Sequence, residues 1–133
     1  MPPDPVRMLA RCDAALVIGD PALRVDPSSL PYQVLDLGGE WVSMTGLPMV
    51  FAVWAGAREH INSENGRVFV QSLRYGLSNM DEIVQAAPHT HGFSPALARE
   101  YLTEHIVFEL GEAEHKGLAL FRKKVAEMRA VAV

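Results

Sequence analysis

The sequence predicts an α/β protein, about three strands followed by a helix-rich C-terminal half. Three observations carry that reading. Two unbroken apolar runs of strand length, 14–18 and 47–55, and one alternating run, 32–37, are each bounded by glycine or proline. From Phe69 onward the apolar positions recur three and four residues apart, the period of a helix. With 133 residues, 49% hydrophobic and 21% charged, the chain is of domain size and can bury a core.

The elements follow in order. Pro2, Pro3 and Pro5 favour an extended opening, and Val6 to Arg11 places Val6, Leu9 and Ala10 on one helical face. Ala14-Ala15-Leu16-Val17-Ile18 reads as a strand buried on both faces, ending at Gly19. Asp20 and Pro21 then read as N-cap and first position of a single helical turn through Arg24. A loop at 26–31 leads to the second strand, stopped by Gly38-Gly39, and Glu40 to Thr45 forms a short helix with Gly46 as its stop. The third and strongest strand, 47–55, carries Pro48 at its start, where a strand tolerates proline.

Phe69, Leu73, Leu77, Met80, Val84 and Ala87 form one face of an amphipathic helix that Pro88 to Gly92 interrupts. Ser94 and Pro95 restart the helix as cap and first position. After an apolar link at 106–110, a last helix opens at Gly111-Glu112, with Leu118, Phe121, Val125 and Met128 spaced three, four and three. Three strands make a thin sheet for that much helix.

Composition excludes several classes. A net charge of −4 argues against a protein that grips phosphate backbones, so no nucleic-acid partner is expected. Residues 1–66 hold eight acids, four arginines and no lysine, whereas 67–133 hold eight charges of each sign. All the lysines fall between Lys116 and Lys124, inside a helical pattern, where a solvated face is the simpler reading. One cysteine, Cys12, excludes an intrachain disulfide and a multi-cysteine zinc site. The longest apolar run, Leu47 to Ala57, has 11 residues against the ~20 a membrane span needs. Without a leader pattern at the opening, a cytoplasmic protein with no membrane partner is expected.

Motifs that name a reaction are scarce. No dinucleotide fingerprint, phosphate loop or nucleophile elbow occurs. His89 and His91 share a face of an extended segment but have no third ligand nearby in sequence, so no metal is expected. The most suggestive place is Gly19-Asp20-Pro21-Ala22, where a strand runs into a capped turn whose backbone N–H groups could receive a carboxylate or phosphate. Asp20 acting only as a cap fits the same residues. Trp54 closes the strongest strand, where either core packing or ligand contact would suit it.

Taken in order, Asp13 to Arg24, Tyr32 to Trp41 and Thr45 to Ala55 resemble the chorismate dehydratase family of the futalosine route to menaquinone. The stretches Tyr101-Leu102-Thr103, Leu110-Gly111, Gly117-Leu118 and Phe121 are similar to that family's ending. The resemblance implies part of a two-lobed, periplasmic-binding-protein-like (type II) fold about twice this length. Residues 1–55 would be the later part of the second lobe and the strand crossing back, and 56–133 the helical C-terminal segment. Met1 would then lie mid-chain and the first lobe would be absent.

The implied activity is loss of water from chorismate to give an enolpyruvyl-oxy benzoate, a carbon–oxygen lyase reaction with no metal or redox cofactor. Gly19, Asp20, Pro21, Ala22 and Trp54 would contact substrate, with Asp20 an orienter, and no catalytic residue is singled out. Without the first lobe the chain would have little or no activity and would self-associate or pair with that lobe. Three other readings stay open: a non-catalytic module for a small carboxylate, the sister dihydroxynaphthoate synthase of the same pathway, and a purely structural domain that pairs with another chain.

Overall fold

A computed structural model describes residues 4–131, with side chains through residue 130. The chain divides into two units, 1–35 and 36–133. The expectation for Pro2 and Pro3 lies outside the described residues.

In the first unit, α1 (Pro5–Leu9) starts where Asp4 accepts hydrogen bonds from the Val6 and Arg7 N–H groups at 3.0 and 3.2 Å. Pro5 is at the first turn, where its lack of an N–H costs nothing. A single turn, α2 (Asp20–Leu23), follows, and then a 3-10 turn, Pro27–Ser29, capped by Asp26.

The second unit is a set of helices. Asp36 caps α3 (Leu37–Thr45), accepting from the Gly38 N–H at 3.0 Å, and Gly46 ends it in the left-handed conformation at φ 68°. A 3-10 turn at Arg58–His60 precedes α4 (Ser63–Ser78), whose cap Asn62 accepts from the Glu64 and Asn65 N–H groups. Next come α5 (Met80–Thr90), α6 (Pro95–Glu100), a π turn at Tyr101–His105 and α7 (Glu112–Val131).

None of the three expected strands forms among the described residues: 14–18, 32–36 and 46–57 are irregular chain. Apolar runs report that a segment wants cover on its faces, but a strand exists only when a neighbour completes its hydrogen-bond ladder. These segments have no such neighbour, and they stay open: Ile18 is 72% and Trp54 81% exposed. Helix is what the described residues establish.

The single amphipathic helix expected over 69–87 is two helices. The Asn79 N–H and side chain both turn back to the Tyr75 carbonyl, and its N–H also reaches that of Gly76, which closes α4. The Asn79 carbonyl then accepts from the Ile83 N–H to open α5. Pro88 does not interrupt α5, which runs to Thr90 and stops before Gly92, at φ 73°. Pro88 deprives the Val84 carbonyl of its usual donor. Burial of Val84 and Ala87 against Ala98 of α6, with Met80 beside them, holds the turn in place.

That cluster is the main core of the second unit. Trp41, 7% exposed, is also buried and meets Phe121 of α7 edge-on at 5.7 Å. It packs on a helix rather than on a sheet. Gly117 of α7 is buried because the backbone at Pro48 comes against it, so closely that a Cβ there would collide with the Pro48 carbonyl. The chain exposes 10808 Å². Many large apolar side chains lie uncovered, among them Leu16, Phe51, Ile61 and Val107.

Candidate substrate-contact residues

The Gly19–Ala22 turn belongs to the first unit. Gly19 is the cap, at φ 66° and ψ −149°, a backbone region that residues with a Cβ rarely enter. Space around it is open, so conformation and not crowding calls for glycine here. Asp20 is the first helical residue and not the cap expected from its sequence. The Gly19 carbonyl accepts from the Ala22 N–H at 2.8 Å and from the Leu23 N–H at 3.2 Å. Pro21 has no N–H to offer. The turn thus uses the Ala22 and Leu23 donors internally, and a carboxylate ligand would compete with the Gly19 carbonyl for them. Asp20, Pro21 and Ala22 are half-buried, whereas Gly19 is exposed.

Trp54 belongs to the second unit, on the irregular segment after α3. Its ring lies 4.5 Å from that of Phe69 on α4, the planes tilted by 31°. One face is thus supported and the rest faces solvent. Trp54 is 81% exposed, so the described residues do not bury it. Phe69 is the residue that sequence reasoning did not connect with this place, because its spacing marks it as part of a helix's apolar face. Across the same segment, Phe51 lies against Gly38, where an added Cβ would come within 2.8 Å of the ring.

The remaining candidates are dispersed. His89 lies within α5, and His91 stacks on Phe93 at 6.2 Å. His105 meets Glu100 at 3.2 Å across the π turn. Among the described residues no three His, Cys, Asp or Glu side chains gather to hold a metal ion. Asp26 is held below the ordinary carboxylate value, first by the Ser28 hydroxyl, which donates at 2.7 Å, and then by the Ser28 N–H at 2.9 Å. No helix among the described residues is long and apolar enough to cross a membrane.

Comparison with known proteins adds what the geometry does not name. A family model described as menaquinone biosynthesis matches residues 1–127. A chorismate dehydratase of Thermus thermophilus is 32% identical over 135 residues, covering 87% of this chain and 48% of that protein. The chain thus spans about half the length of this curated relative. No solved structure matches. On the breadth of the family match, the chain belongs to the menaquinone biosynthesis family.

Proposed function

We propose that this chain is the later part of the second lobe, the strand crossing back and the helical C-terminal segment of a chorismate dehydratase with a two-lobed, periplasmic-binding-protein-like fold. The carrying observation is its identity of 32% with the Thermus chorismate dehydratase across 87% of its own length. The reaction removes water from chorismate, and formation of an aromatic ring drives it. The site must hold a dianion while one ring proton and one hydroxyl leave.

In this reading the Gly19–Ala22 turn of the first unit receives a substrate carboxylate. Taken by itself, Trp54 of the second unit, backed by Phe69, offers a flat apolar surface for ligand contact. Substrate binding would redirect the Ala22 N–H from the Gly19 carbonyl to the carboxylate. Asp20 orients and does not remove the proton, since a second anion beside two carboxylates is unfavourable. Half a cleft lacks the groups of the other lobe, so the chain alone has little or no activity. The open apolar segments 14–18 and 47–55 become paired strands when that lobe is present.

Replacing the matching region of the Thermus relative by this chain tests the proposal. The graft should consume chorismate and release a product lighter by one water. A folded graft that returns chorismate unchanged would favour the carboxylate-binding module instead. Within the graft, Asp20→Asn should keep turnover; its loss with unaltered chorismate affinity would make Asp20 the base.

A further inference from the structure

The segment that carries Trp54 has no strand partner among the described residues, yet its course is fixed at several points. Where it leaves α3, the Thr45 hydroxyl donates to the Trp41 carbonyl at 2.7 Å and accepts from the Leu47 N–H at 3.2 Å. Three further contacts fall three residues apart. The Pro48 backbone lies against Gly117 of α7, the Phe51 ring against Gly38 of α3, and the Trp54 ring against Phe69 of α4. All of these residues belong to the second unit.

Each contact depends on one helical residue. At Gly117 an added Cβ would meet the Pro48 carbonyl, and at Gly38 it would meet the Phe51 ring at 2.8 Å. Neither glycine has a positive φ, so close approach and not backbone conformation accounts for the missing side chain. Gly39 shows the contrast: an added Cβ there would first meet Asp36 Oδ2, at 3.1 Å, the end of a side chain that can move. Phe69 is 43% exposed, so part of its ring serves Trp54 and not a core.

We propose that Gly117, Gly38 and Phe69 are positioning residues for Trp54. Through them α7, α3 and α4 set the course of 47–55, and with it the place of the indole, before any strand partner is added. Pairing with a neighbouring strand uses backbone N–H and C=O groups, so the Phe51 and Trp54 side chains can keep these seats. None of the three positioning residues touches substrate in this account. Their effect on chorismate binding rests on the dehydratase reading, in which Trp54 does; the seating itself does not rest on it.

The test uses the whole chain carrying Trp41→Phe, which leaves Trp54 as its one tryptophan. Trp41 Nε1 has no hydrogen-bond partner among the described residues, so phenylalanine loses no bond there. The tryptophan band in near-UV circular dichroism then reports how firmly Trp54 is held, and far-UV circular dichroism checks that each variant keeps its helix. Phe69→Ala should abolish the band and Phe69→Tyr should retain it. Gly38→Ala and Gly117→Ala should weaken it, whereas Gly39→Ala and Gly66→Ala, which obstruct no part of the segment, should not. A band indifferent to Phe69→Ala, or one that all four glycine variants change alike, would overturn the positioning. In the graft on the Thermus relative, Phe69→Ala should raise KM for chorismate about two- to tenfold, the worth of one aromatic pair, with kcat changed less, and Phe69→Tyr should restore it. If the spectra behave as expected but Trp54→Ala leaves that KM unchanged, the seating stands and the substrate contact assigned to Trp54 is overturned.

Discussion

Gly117 offers the sharpest test of how α7 is seated. A glycine inside a helix is worth about 1 kcal/mol less than alanine, so Gly→Ala at an open helical position should stabilise. Gly66 of α4 is such a position, with nothing within 4 Å of an added Cβ. Gly117 differs because its added Cβ would run into the Pro48 carbonyl, a backbone atom that cannot rotate away. Overpacking of this kind costs about 1–3 kcal/mol, and a backbone obstacle puts it toward the upper end. Against the gain of about 1 kcal/mol in helix propensity, Gly117→Ala should lose about 1–2 kcal/mol net. The two variants should therefore move in opposite directions in urea midpoint and in thermal unfolding, the latter by several degrees in Tm for a unit of this size. If Gly117→Ala rose in parallel with Gly66→Ala, α7 would not lie against the Pro48 backbone. The packing described for the second unit would then be wrong.

Other consequences are simpler. Asn62→Ala removes the acceptor of two N–H groups at the start of α4 and should cost about 1 kcal/mol, measurable as a lower urea midpoint. Val84→Ala, at the centre of the α5–α6 cluster and 1% exposed, should cost roughly 2 kcal/mol. Asp26 is an exposed carboxylate whose folded value lies below the ordinary 3.8. A depressed carboxylate stabilises above its unfolded value, and that contribution fades as pH falls through the lower folded value. The turn at Asp26–Ser29 should therefore loosen below about pH 3.8, and Asp26→Asn should flatten this dependence in an NMR pH titration of the Ser28 amide.

Local chemistry was legible where one residue settles the matter by itself. Ser94 capping α6, Gly46 ending α3 and the seam of α7 follow from side-chain acceptors, positive φ and a three-and-four spacing that the neighbours do not alter. Asn79 was missed because an apolar period continues across a break when the next helix buries the same face. Pro88 was overread, since a proline near a helix's end removes one donor, which the burial of Val84 and Ala87 offsets. The strand segments failed for a different reason. Ile18, Val34 and Phe51 carry strong β character, but strand structure depends on a partner outside the segment. The candidate residues at Gly19–Ala22 and Trp54 stand out by their positions in the sequence, yet the internal bonds to the Gly19 carbonyl and the support of Trp54 by Phe69 needed three dimensions.

The central claim is that this chain contributes one half of a chorismate-dehydrating site. The most direct measurement compares chorismate consumption by the chain alone and by the chain mixed with the complementary half of the Thermus relative. The account predicts no turnover from the chain, and loss of chorismate with a dehydrated aromatic product from the mixture. Equal turnover by the isolated chain would contradict the half-site, and a stable, folded mixture without any turnover would contradict the dehydratase.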